Sequence, residues 1–359
     1  MMTPLVLLVL LALQGAAPAL SLQRSSCTRH YRPLRMAVES SILQSINDKI
    51  MSENAERIGR IERDIMAKKG PLVPIAPVSL DVAMSKRLKD GQLLIHALLL
   101  REGVASIKKV ISDETADELL AFVNAEKLRS EDRVERKVVS VDDLFGAVNN
   151  RKNRCDLFLP FSQPIVKKAL LEATRNMQPL LSSLKDMQEQ GVLHELSSLV
   201  ADPSAPDQCV HCDTPWLADT PPLYTFFIAL QDVDDGMGHT AFLPRTHNEG
   251  RILTLTLTLT LTLLPFLDAH KIFNSGVKPK ENLIGLTAAS RSGLKKGDTV
   301  VFDSRCLHAG GANTSGKRRV LFYFTITAGD TTKNNPNPKR GYGSIRTEDY
   351  LQIRCTDLF

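Results

Sequence analysis

The stretch Gln208-Cys-Val-His211-Cys-Asp213-Thr-Pro-Trp216 sets an imidazole and a carboxylate two positions apart. On an extended chain residues i and i+2 point to the same side, so His211 and Asp213 can reach one metal ion. A lone His-x-Asp pair arises often by chance. It gains content from Gly297-Asp-Thr-Val-Val-Phe-Asp-Ser-Arg-Cys-Leu-His308-Ala-Gly-Gly, in which a strand pattern ends on a second imidazole and a Gly-rich turn. Lys317-Arg318-Arg319 then opens an apolar run from Val320 to Ile326. Two imidazoles and one carboxylate leave three positions open on an octahedral ion, which suits iron(II) and oxygen chemistry. A keto-acid cosubstrate would take two of those positions and oxygen the third. The far carboxylate of 2-oxoglutarate would then need a bidentate cation, which arginine supplies better than lysine.

Competing readings of the same residues are weaker. Cys209-x-x-Cys212 suggests zinc on paper, but on a strand the two thiols point to opposite faces, and no second pair exists. Asn313-Thr-Ser is a glycosylation sequon whose place in the turn after His308 favours a structural role. His239 and His247 read as turn histidines that could also line a pocket. Trp216 either walls the substrate pocket or packs in the core. Asp232, Asp234 and Asp235 read as a solvated acidic turn.

The elements that must position these residues fall into two textures. Met36 to Lys69 predicts one helix, with Ile42, Ile46, Ile50, Ile58, Ile61 and Ile65 on one face and a stop at Gly70-Pro71. A Pro-rich linker follows. Helices are predicted over Val82–Leu100, from Ser112 to about Val123, and over Gln163–Gln190, with a strand over 103–111 and an irregular charged stretch over 128–153. From Leu193 the pattern changes to short strands, at 193–200, 209–213, 223–231, 240–244, 299–303 and 318–327. Helices followed by short strands predict an α+β protein with a β-sandwich or jelly-roll core. Thr254 to Leu263 is five Thr-Leu pairs, read as a low-complexity loop insertion.

The 359 residues could form one large domain or two small ones. The four arginines of the acid-free first 38 residues carry most of the net charge of +5, leaving +1 for the rest. So neutral a body gives no electrostatic case for nucleic acid. Leu5–Leu13 is apolar but far short of a membrane span, and Ala17-Pro18-Ala19 fits a signal cleavage site. Ser21–Arg35 is rich in Ser and Arg, like a transit peptide. The expected division is a signal peptide at 1–19, a transit-like leader at 20–38, and the helix and linker at 39–79. A main domain over 92–327 and a tail over 328–359 complete it. The bipartite leader favours a plastid, with secretion or endomembrane residence as alternatives. The cysteines at 27, 155, 209, 212, 306 and 355 show no disulfide spacing.

Four stretches together resemble the phytanoyl-CoA dioxygenase family: "GVASIKKVISDETADELLAFV" at 103–123, "HCDTPW" at 211–216, "ALQDVDDGMGHTAFLPRTHN" at 229–248 and "GDTVVFDSRCLHAGGANTSGKRR" at 297–319. The likeness spans roughly residues 92–327. It implies a double-stranded β-helix flanked by helices, iron(II) and dioxygen, and 2-oxoglutarate as cosubstrate with release of succinate and carbon dioxide. It matches His211, Asp213 and His308 to the iron ligands. It also points to Arg319, eleven residues after His308, rather than Arg318, as the 2-oxoglutarate anchor. Pro244-Arg-Thr-His247 stands where the family often has Pro-Gly-Ser-His, which leaves the role of His247 open. Family members that halogenate lack the metal carboxylate, so Asp213 favours hydroxylation. The expected substrate is a small or lipid-like molecule. Two other readings compete, a non-catalytic jelly-roll binder and a prolyl hydroxylase-like enzyme acting on protein. The oligomeric state is not legible in the sequence.

Overall fold

The computed structural model describes residues 57, 59–148, 151–184, 191–214, 222–247, 277–328 and 358. Two β-sheets face each other. The larger contains β2 (Val104–Ile107), β3 (Arg154–Phe158), β4 (Gly191–Ala201), β5 (Leu223–Ala229), β8 (Thr299–Asp303) and β10 (Arg319–Ala328). Its order is β2-β8-β5-β10-β4-β3, with every described pairing antiparallel. The smaller sheet has the order β1 (Val73–Pro74), β7 (Ser290–Arg291), β6 (Thr240–Phe242), β9 (His308–Gly310). Two facing sheets with helices outside form the expected jelly-roll core.

The central strands are buried on both faces, so they read as continuous apolar runs and not as alternations. On the outer face of the larger sheet, Phe226, Ile228, Phe322, Phe324 and Ile326 join the main core with the helices. The rings of Phe226 and Phe324 stack across neighbouring strands at 4.8 Å. On the inner face, Phe227, Val300, Phe302, Leu321 and Tyr323 meet Met237, Phe242 and Leu294 between the sheets.

The helices depart from the sequence reading where local chemistry cut or extended them. The span Val82–Leu100 is two helices, α2 (Leu80–Ser85) and α3 (Leu94–Glu102), separated at a turn where Gly91 has φ +85°. The next helix, α4 (Asp113–Glu135), begins at Ser112, whose hydroxyl accepts from the Thr115 amide as an N-cap does. It runs twelve residues past Val123 because Lys127 and Ser130 continue its buried face, and Lys127–Glu131 and Arg136–Asp132 pair one turn apart. The short α5 (Val141–Leu144) lies within the stretch expected to be irregular, and β3 follows directly after that stretch, where the sequence reading placed no element. The span Gln163–Gln190 divides into α6 (Pro164–Asn176) and α7 (Gln178–Ser183), each with proline in its first two positions. Helix α8 (Val277–Leu286) was not legible in the sequence.

Most of the helix expected over Met36–Lys69 lies outside the described residues; its last part is helical, as α1 over 59–67. It belongs to the same compact unit as the sheets. Its Ile65 and Met66 pack on Val210, Leu243, Leu283, Ile284, Leu307 and Ala309, against the segments that carry both metal-site histidines. The leader, the Thr-Leu repeat and Trp216 lie outside the described residues.

Candidate metal centre

The segment carrying His211 is not the strand expected over 209–213; it is a single antiparallel bridge, His211 to His308. Each residue donates its amide to the other's carbonyl, at 2.9 and 2.8 Å. Two residues on, the Asp213 amide donates to Ser304 O at 2.9 Å. The two-residue spacing therefore still turns His211 and Asp213 to one side. Phe242 and Phe302 lie 5.8 and 4.9 Å from the His308 ring, centroid to centroid.

Both imidazoles are oriented in the same way. His211 Nδ1 lies 2.8 Å from Cys209 O, and His308 Nδ1 lies 2.9 Å from Cys306 O. A carbonyl only accepts, so each Nδ1 carries the proton and each Nε2 presents a bare lone pair. Burial lowers both imidazoles to about 4, and for His211 the nearby His308 adds to the effect, so both are neutral at physiological pH. The two Nε2 atoms lie 3.8 Å (His211) and 3.6 Å (His308) from Asp213 Oδ1, too far for hydrogen bonds. All three ligand atoms fall within 4.8 Å of one another. Ligands about 2.1 Å from a shared ion stand about 3 Å apart when adjacent and about 4 Å apart when opposite. The donor set and its spacing therefore fit a metal ion. Among the described residues this is the only such cluster, and Cys209 and Cys212 lie outside it and in no disulfide.

The family model for phytanoyl-CoA dioxygenase matches residues 99–321, a span that contains His211, Asp213 and His308. The chain belongs to the phytanoyl-CoA dioxygenase family. It is accordingly an oxygenase that depends on iron(II), 2-oxoglutarate and dioxygen. No curated protein sequence matches the chain. Among solved structures, the carbocyclase SnoK from nogalamycin biosynthesis is 17% identical, with a TM-score of 0.45, covering 70% of this chain and 87% of its own. The epimerase SnoN, solved with Fe3+, α-ketoglutarate and nogalamycin RO, is 16% identical, with a TM-score of 0.45 and coverages of 71% and 96%. AviO1 from Streptomyces viridochromogenes Tue57 is 18% identical, with a TM-score of 0.43 and coverages of 65% and 93%.

In this member of the family the ligand residues open onto a cavity of about 370 Å3 between the sheets, also lined by Asp156, Glu195, Leu199, Gln208, Thr225, Phe227 and Tyr323. Asp213 is 39% exposed to it, yet desolvation still raises its carboxyl. The two arginines at the start of β10 separate cleanly. Arg318 points outward, where it pairs with Asp202 and donates to Asn124 Oδ1 at 2.8 Å. Arg319 points inward, is 1% exposed, and has no hydrogen-bond partner on Nε, Nη1 or Nη2. Burial, with Arg154 beside it, brings its guanidinium down to about 9. Arg319 does not line the cavity; it lies opposite Ala201, one inward-facing position beyond Leu199 at the cavity's end.

Other residues take structural places. Asn313 is fully buried; its amide donates to Ala201 O and Lys317 O, and its oxygen accepts from the Ser315 amide and hydroxyl. His239 and His247 bond to Ser292 O and Leu100 O and lie away from the cavity lining. The acidic turn is ion-paired, not merely solvated, through Asp232–Lys295, Asp234–Lys317 and Asp235–Arg291.

Three groups near the site escaped the sequence reading. Glu62 on α1 is 1% exposed, accepts from the Val210 amide at 3.0 Å and pairs with Lys280 on α8 at 2.5 Å. Asp156 on β3 is buried and Glu195 on β4 is half-buried, both in the cavity wall. Desolvation raises Asp156 to about 7 and Glu195 to about 8. A lone acid within an apolar strand was the available signal for both.

Proposed function

We propose that this chain hydroxylates a small or lipid-like molecule, with His211, Asp213 and His308 holding one iron(II) and Arg319 taking the distal carboxylate of 2-oxoglutarate. Arg319 carries the reading. A buried guanidinium with no partner is costly, and a carboxylate arriving from the Leu199 end of the cavity would satisfy it bidentately. Arg318 is already committed to Asp202 and Asn124, which supports the choice between the two. When bound, the iron supplies the activation of dioxygen. The protein's part is to hold two neutral imidazoles by their Nδ1 hydrogen bonds, so that their lone pairs need no reorganisation. Phe242 and Phe302 back the His308 ring and keep water from that side. Asp213 occupies a position that a halide would need, which supports hydroxylation over halogenation. A cavity of about 370 Å3 suits a small substrate better than a protein segment.

The leader adds a proposed plastid destination by way of the secretory route, testable by imaging a fluorescent protein fused after residue 38. The catalytic reading is tested by succinate formation in His308→Ala and Asp213→Ala. Both variants should be inactive with 2-oxoglutarate. Turnover persisting in either one would contradict the ligand assignment.

A further inference from the structure

The cavity wall opposite the metal ligands carries two acids, and among the described residues no basic side chain pairs with either. Asp156 and Glu195 sit on the inner face of the larger sheet, on the neighbouring strands β3 and β4. Asp156 is opposite Leu199 and Glu195 is opposite Thr325. Tyr323 Oη donates to Asp156 Oδ2 at 2.9 Å, and Thr325 Oγ1 donates to Glu195 Oε2 at 2.5 Å. Asp156 is 7% exposed, and its other oxygen, Oδ1, is buried without a hydrogen-bond partner. Among the described residues no lysine, arginine or histidine pairs with either carboxylate, and no lysine or arginine lines the cavity. Arg319 is bare and bonds to neither acid; its row on β10 lies six residues, about 20 Å along the strand, from that of Glu195 and two residues from that of Asp156.

Each of these facts bears on what the cavity accepts. A buried carboxylate oxygen without a donor is destabilising unless a ligand brings one. The hydroxyls of Tyr323 and Thr325 donate to these acids and Ser197 lies beside Asp156, so the protein supplies neutral donors only; a charged donor would have to come with a ligand. The distal carboxylate of 2-oxoglutarate would be answered by Arg319 and leaves both acids unanswered. An anionic substrate, such as a free fatty acid or an acyl-CoA, would bring its charge beside two acids with no cation between them and would hold both protonated, whereas a cation would be paired by their ionised forms.

We infer that the substrate of this oxygenase carries a protonated amine, held at the wall that Asp156 and Glu195 form while a neighbouring carbon faces the metal ligands. The inference rests on the proposed iron and 2-oxoglutarate site. Asp156 and Glu195 are specificity residues in it and take no part in holding the metal.

The test uses the full chain loaded anaerobically with iron(II) and 2-oxoglutarate. Visible charge-transfer absorption reads the loading and so tests the metal reading by itself. Three probes of one shape are then compared by calorimetry: cyclohexylmethylammonium, cyclohexylmethanol and cyclohexanecarboxylate. The ammonium should bind at least about tenfold more tightly than either other probe, the scale of a charge-assisted contact. Asp156→Asn and Glu195→Gln should each reduce that preference, and the double variant should abolish it without loss of the absorption. The inference is overturned if the carboxylate or alcohol binds as tightly, if no probe binds, or if the double variant keeps the preference. Should the variants fail to fold, the wild-type comparison decides alone. Should the absorption be missing, the metal reading falls and the same probe comparison still decides this one.

Discussion

Replacing Glu62 by alanine removes a support of the metal centre that lies outside the family-matched span. Glu62 is 1% exposed on α1, and its two oxygens serve the Val210 amide, next to His211, and the Lys280 ammonium. Removing one partner of a buried ion pair costs about 3–5 kcal/mol. The Lys280 side chain is 19% exposed, so solvent recovers part of that and the low end applies. The orphaned Val210 amide adds about 1 kcal/mol. A net loss of about 3–4 kcal/mol is therefore expected, read as a lower urea midpoint at unchanged m. Loss of this support for the His211 segment should also weaken iron(II) binding by about tenfold or more. The paired replacement Glu62→Met with Lys280→Met should recover most of the stability, because it leaves no uncompensated charge. The reasoning fails if Glu62→Ala unfolds within about 0.5 kcal/mol of wild type and binds iron as tightly.

Two further outcomes follow from the cavity wall and from β10. Arg319→Met should make the apo protein more stable in thermal unfolding, since it removes an unpaired buried cation, and should abolish stabilisation by 2-oxoglutarate. Arg318→Met should lower stability and leave that response intact; the opposite pattern would exchange their roles. In pH, the folded-state carboxyls of Asp156 and Glu195 are raised to about 7 and about 8, so the native state holds protons that the unfolded chain has released. Their contribution is present at low pH and is lost as pH rises through those values. His194, lowered to about 4 by burial, acts in the other sense, costing stability as pH falls below its unfolded value of 6.5. Between about 6.5 and 8 the acids act alone, so apo stability should decline across that window. Asp156→Asn with Glu195→Gln should flatten the decline, and an unchanged slope in the double variant would show that other groups set it.

The candidate metal cluster was legible because its chemistry is local. His211 and Asp213 need only an i, i+2 spacing to share a face, and that spacing survives although the expected strand is a single bridge. The long strands β4, β5 and β10 were legible because β-branched and aromatic runs favour extended chain. What the sequence concealed depends on partners far away in the chain. Helix α4 continues past Val123 because Lys127 has Asp202 and Glu131 to meet, and periodicity alone does not carry that. The choice of Arg319 over Arg318 followed from resemblance, while the physical distinction, one arginine paired and the other bare, appears only once β10 lies between β4 and β5. Asp156 and Glu195 read as incidental acids until the register sets both on the cavity wall.

The central claim is that the His211–Asp213–His308 cluster and Arg319 form one iron and 2-oxoglutarate site. Its most direct test is an anaerobic titration of the full chain with iron(II), then with 2-oxoglutarate, followed by visible absorption. The account predicts one iron per chain and a charge-transfer absorption on adding 2-oxoglutarate. His308→Ala should bind neither, and Arg319→Met should bind iron but need far more 2-oxoglutarate. An unchanged absorption in His308→Ala, or none in the wild-type protein, would contradict it.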